Sequence, residues 1–155
     1  MDDRVRAAKI LFRQATMVSS SMIMSVFIYG GIGFYAVQTG HPAAAVVQGG
    51  TYRLVQLGAF AVAALAIIGS RLLAEKMFAR RGTGIPGMAC HPKQCYVSAI
   101  ICCAAAELPA VLGMSLLFLS RDIYGFIPFA VFSLAALVFS FPQKQKWAER
   151  IGFDF

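Results

Sequence analysis

Not one charged residue lies between Arg13 and Arg53. About 20 apolar residues in a helix cross the hydrocarbon layer of a bilayer, so this stretch alone is long enough to span. Three further apolar runs follow, and the four spans are expected at about 15–38, 54–73, 96–120 and 123–141. The chain is 59% hydrophobic and 14% charged, against roughly one quarter charged in soluble domains. Its mean hydropathy is +0.70. A soluble core of this size could not hide so much apolar surface. The expected fold class is therefore all-α, a four-transmembrane-helix bundle, with residues 1–155 forming a single integral membrane domain.

The basic lead of Arg4, Arg6, Lys9 and Arg13 runs into an apolar stretch too long for the core of a cleavable signal. It is read as the topology anchor of a retained first span, with an amphipathic interfacial helix running into that span as the alternative. In that span Ser21 and Ser25, four residues apart, share a face suited to close helix packing. The second span is alanine-rich, at Ala59, Ala61, Ala63, Ala64 and Ala66, which suits a helix packed inside the bundle. Only Arg121 and Asp122 separate the third and fourth spans, so these form a tight antiparallel hairpin. In the fourth span Phe126, Phe129 and Phe132 share a face, read as packing or lipid contact. Pro142 ends that span, and Lys144, Lys146, Trp147 and Arg150 make a basic, aromatic interfacial anchor.

The net charge of +7 raises nucleic acid as a partner, but the basic residues sit at the ends of the spans rather than in one block. Twelve of them fall on one side: Arg4, Arg6, Lys9, Arg13, Arg71, Lys76, Arg80, Arg81, Lys93, Lys144, Lys146 and Arg150. Two, Arg53 and Arg121, fall on the other. This asymmetry predicts an N-in, C-in protein of the plasma (inner) membrane, with the lipid bilayer and not nucleic acid as its partner. Cys90, Cys95, Cys102 and Cys103 are then on the reducing side or inside a span, and no disulfide is expected.

Several motifs carry less than their patterns suggest. Gly82, Gly84 and Gly87 match a dinucleotide fingerprint, but a membrane helix precedes them and Pro86 interrupts them, where that motif needs a strand and then a helix. Cys90, His91 and Cys95 supply three metal ligands where a closed structural site needs four. His41 is read as a solvated loop residue. Ser19 to Ser25 and the Cys102/Cys103 pair lack a recognisable base. No enzyme activity, metal or cofactor is expected.

Glu107 is the exception to the apolar pattern. It is the only charge in the run from Tyr96 to Ser120. Eleven residues from Tyr96 at 1.5 Å each place it about 16 Å deep, near the middle of a layer about 30 Å thick. Arg121 is fourteen residues away, about 21 Å along the helix. Desolvation without a counter-charge favours the neutral acid, so Glu107 is expected to hold a proton. Cys103 lies one turn before it on the same face. Pro109 withdraws the partner of the Ala105 carbonyl and offers a local polar site. An ionisable group at this depth is a functional candidate by default.

The run Ala105-Ala106-Glu107-Leu108-Pro109-Ala110-Val111-Leu112-Gly113 resembles the ion-carrying helix of the proteolipid (c) subunits of rotary ATP synthases. In those subunits a mid-membrane Glu or Asp is followed by a small, apolar, glycine-containing run. The preceding Cys90-His91-Pro92-Lys93-Gln94 is similar to their polar Arg-Gln-Pro loop, though the Arg is missing. The similarity covers about residues 90–120. It implies proton or sodium carriage on Glu107, with Cys103, Pro109 and Gly113 in support, within an oligomer or a larger membrane complex. The alternative is an accessory or scaffold subunit. There Glu107 only hydrogen-bonds a partner helix, or one of Ser19, Ser20, Ser25, Tyr29 and Gln56 in its own chain.

Overall fold

The computed structural model describes residues 3–39, 50–79 and 91–151. The described residues are almost wholly helical: α1 spans Asp3–Gln38, α2 Gly50–Ala79, α3 Pro92–Ser120, α4 Ile123–Ser140 and α5 Lys144–Ile151. The first four are long and apolar enough to cross a membrane. His41, Cys90 and the glycine motif at Gly82, Gly84 and Gly87 lie outside the described residues.

The helices outrun the apolar stretches that predicted them. α1 continues without a break through the basic lead. α2 extends through Lys76 to Ala79. α3 begins at Pro92, where the missing N–H of proline costs nothing, and His91 caps it by accepting from Lys93 N at 3.3 Å.

α3 is the central helix. It packs against α1, α2 and α4, and α1 also leans on α4. Small side chains make this possible. Cys103, Ala106, Ala110 and Gly113 of α3 are buried, and such residues let helix backbones approach closely where lipid supplies no hydrophobic drive between helices. A Cβ on Gly113 would stand 2.6 Å from Phe129 Cβ and 2.9 Å from Phe129 Cγ. The α3–α4 contact is therefore closed to any larger residue there.

The α3–α4 hairpin turns where expected. Arg121 adopts the left-handed conformation (φ 57°), and its N–H donates to Leu117 O at 2.7 Å. Asp122 then caps α4 by accepting from Tyr124 N at 3.0 Å. The pair ends one helix and starts the next with no intervening residue.

Two expectations about packing are corrected. α2 is peripheral rather than enclosed: Leu54, Leu57, Leu65 and Ile68 are exposed, and among its described side chains only Ala63, Ser70 and Ala74 are buried. One stripe of α2, with Ala63, Ile67 and Ser70, turns inward and Phe60 meets α4, while Leu54, Leu57, Ala61, Leu65 and Ile68 face outward. In α1 the serines that meet α3 are Ser19, buried beside Cys103, and Ser25, which reaches Glu107, whereas Ser21 is exposed and bonds back to Val18 O.

Trp147 departs from its expected place as well. It is 4% exposed and sits in a cluster with Ala8, Ala15, Cys95 and Ile151. Its ring meets Phe12 edge to face, with centroids 5.4 Å apart. Helix α5 is amphipathic and folds back under the bundle, turning Trp147 and Ile151 inward and leaving Lys144 and Lys146 exposed. The start of α1, the start of α3 and helix α5 thus lie at one end of the bundle.

A candidate site at Glu107

Glu107 stands fifteen residues after the first residue of α3 and thirteen before the last, at mid-helix. It is half-buried and turned toward α1. Its Oε1 accepts from the Tyr29 hydroxyl at 3.0 Å and makes a short hydrogen bond with the Ser25 hydroxyl. Ser25 and Tyr29 are one turn apart on α1, so a single face of that helix presents both groups. Both partners are neutral hydroxyls.

The protons around Glu107 are few. The Ser25 hydroxyl also donates to Met22 O at 2.7 Å. A hydroxyl carries one proton. Three contacts (Ser25 to Met22, Ser25 to Glu107, Tyr29 to Glu107) thus draw on two hydroxyl protons. Ser25 Oγ is thus shared between Met22 O and Glu107 Oε1.

The neighbouring turn of α3 is threaded by weaker polar contacts. Cys103 is fully buried, with Sγ 3.2 Å from Ser19 Oγ and 3.9 Å from Ser140 O. Ser19 donates to Ala15 O at 2.9 Å. Ser133 of α4 is also fully buried and donates to Ala106 O at 2.7 Å, next to the break that Pro109 makes in the α3 ladder.

Of the residues expected to act together, Glu107 and Cys103 do share the α1 face of α3, each meeting a serine of α1. Pro109 is buried one half-turn on. Gly113 lies where a side chain would meet Phe129 and Phe126 of α4. Among the five in-chain partners weighed for Glu107, Ser25 and Tyr29 make the bonds. Ser19 bonds Cys103, Ser20 is exposed, and Gln56 donates to Gly125 O at 3.4 Å. Ser133 was missed. The signal was available, because a hairpin pivoting at Arg121–Asp122 brings the turn 133–137 alongside Ala106.

Nothing in this region gathers metal ligands. Among the described residues no three His, Cys, Asp or Glu side chains come together. Cys95 faces the Trp147 cluster, and His91 serves as a helix cap.

Compared with known protein families, with curated proteins and with solved structures, the chain matches none.

Proposed function

We propose that this chain is a non-enzymatic integral membrane protein whose mid-membrane carboxyl, Glu107, carries a proton, and that it works within an oligomer or a larger membrane complex. Both termini face the cytoplasm across the plasma (inner) membrane, by the twelve-to-two distribution of basic residues. The observation that carries the reading is the hydroxyl pair on α1. Ser25 and Tyr29 contact one carboxyl oxygen, with one proton fewer than their bonds require. A neutral acid meets that need, and loss of its proton leaves two hydroxyls able to turn toward the carboxylate. Two hydroxyl oxygens and a carboxyl make a poor cage for a hard cation, which takes about six or more oxygens. The proton is therefore preferred over sodium.

A second reading has its own support. The same bonds tie α1 to α3, and a scaffold subunit needs no more than that. Interhelical hydrogen bonds in membranes average about 0.6 kcal/mol, which is a small return for a carboxyl at this depth, where charge costs at least about 2.5 kcal/mol.

Carbodiimide labelling in native membranes separates the readings. Glu107 should label at neutral pH, Glu107→Gln should abolish labelling while leaving the fold intact, and added sodium should not protect. Protection by sodium would replace the proton with a cation. Absence of labelling at every pH would remove carriage and leave the scaffold reading.

A further inference from the structure

A second polar feature, independent of Glu107, lies at the end of the bundle that holds α5. The described side-chain contacts between α2 and α4 reach no further than Phe60 of α2 and Phe132 of α4. Phe60 stacks on Phe129 with centroids 4.0 Å apart and lies 6.0 Å from Phe132. Beyond this point a cleft of about 340 Å³ opens between the two helices. Ser98 of α3 lies in its floor, Arg71 and Phe139 in its walls, and Lys146 and Trp147 of α5 at its end. Glu75 is on the same rim, so the charged groups sum to one positive charge.

Arg71 and Lys146 line the cleft from different helices, and among the described residues neither has a hydrogen bond or an ion pair. Two unpaired cations beside a polar cavity attract an anion, and an arginine fork suits a phosphate oxygen pair. The depth is also informative. Arg71 closes the uncharged run that begins after Arg53, so the cleft sits where hydrocarbon gives way to headgroups. Its lining is apolar at Phe139, which is 78% exposed, and α2 exposes Ile68 (56%) one turn before Arg71. A ligand matching this gradient has an anionic phosphate head and apolar tails.

We infer that the cleft holds the headgroup of an anionic phospholipid, with the phosphate between Arg71 and Lys146 and the acyl chains lying along the furrow between α2 and α4. A basic residue near an anionic membrane surface contributes about 1 kcal/mol, equivalent to roughly fivefold in affinity.

The chain reports on this site itself, because Trp147 is its one tryptophan and lines the cleft. The full-length protein is reconstituted with phosphatidylglycerol or phosphatidylcholine brominated near the headgroup, and quenching of Trp147 is followed. The expected result is stronger quenching by the anionic lipid. That preference should fall about fivefold in Arg71→Gln or Lys146→Gln and about 25-fold in the double variant. It should return when the charges are kept as Arg71→Lys with Lys146→Arg. Helicity measured alongside confirms that each variant is folded. Equal quenching by the two lipids, or an unchanged preference in the folded double variant, overturns the proposal. Displacement of the anionic lipid by millimolar inorganic phosphate also overturns it, in favour of a soluble phosphate ligand.

Discussion

The bond between Tyr29 and Glu107 can be weighed by a double-mutant cycle. Tyr29→Phe removes only the hydroxyl, and Glu107→Met removes the carboxyl while keeping a side chain of similar length. Both groups are within a helix pair packed through Val26, Cys103 and Ala106, so neither change should open a large cavity. With Glu107 neutral, the 3.0 Å bond belongs with ordinary interhelical hydrogen bonds, whose coupling averages about 0.6 kcal/mol and reaches about 1.7 kcal/mol. With Glu107 ionised, the phenol would donate to a charge, a bond worth roughly 1.5 to 3 kcal/mol net. The assay is reversible unfolding in mixed micelles of the parent, both single variants and the double variant. A coupling energy of about 0.5 to 1.5 kcal/mol is expected. A value near zero would refute the Tyr29–Glu107 geometry. A value of about 3 kcal/mol would refute the neutral acid and the proton count around Ser25 that supports it.

Other substitutions test the frame of the bundle. Gly113→Ala should destabilise by about 1 to 3 kcal/mol in the same unfolding assay, because the new methyl meets the root of Phe129 and that ring cannot yield. Gly58→Ala is its control: nothing lies within 4 Å of the added methyl, and a gain of about 0.5 to 1 kcal/mol is expected from helix propensity alone. Arg121→Gly should raise stability by about 0.5 kcal/mol, since relief of the left-handed strain, about 1 to 2 kcal/mol, exceeds glycine's entropic cost of about 0.5 to 1 kcal/mol. Truncation after Gln143 should make Cys95 reactive to maleimide, because the thiol is 1% exposed beneath Trp147 and Ile151. An unreactive Cys95 would mean that α5 does not cover it.

The helical spans were legible because lipid demands long apolar runs, and those between Arg13 and Arg53, Arg53 and Arg71, Lys93 and Arg121, and Asp122 and Lys144, interrupted only by Glu107, are unmistakable. The hairpin was legible for the same reason, since Arg121 and Asp122 leave no room for another connection. The rank of the helices was not. α2 and α3 are both rich in small residues, and composition cannot tell a helix with one packed stripe from one packed on three sides. Glu107 stood out as a lone carboxyl, but its partners depended on the rotation of α1, which the hydrophobicity of a lipid-facing helix scarcely records. Five hydroxyl or amide candidates were compatible with the sequence, and the packing chose Ser25 and Tyr29. Trp147 was misread because an aromatic residue among lysines has the composition of an interfacial anchor whether it faces lipid or Phe12.

The fold-back of α5 also sets an order of events during synthesis. Ala8 and Ala15 belong to the earliest part of the described chain to leave the ribosome, and Trp147 and Ile151 to the latest, yet they share one cluster. Every other helix is already made before that cluster can close. The first span must therefore wait in the membrane with part of its surface uncovered, and the last eight-residue helix acts as a latch. A stalled or shortened chain would insert all four spans and still lack the contact that draws both ends of the bundle's sequence together. Such contacts between residues far apart in the chain form slowly, so completion of this end should lag behind insertion itself.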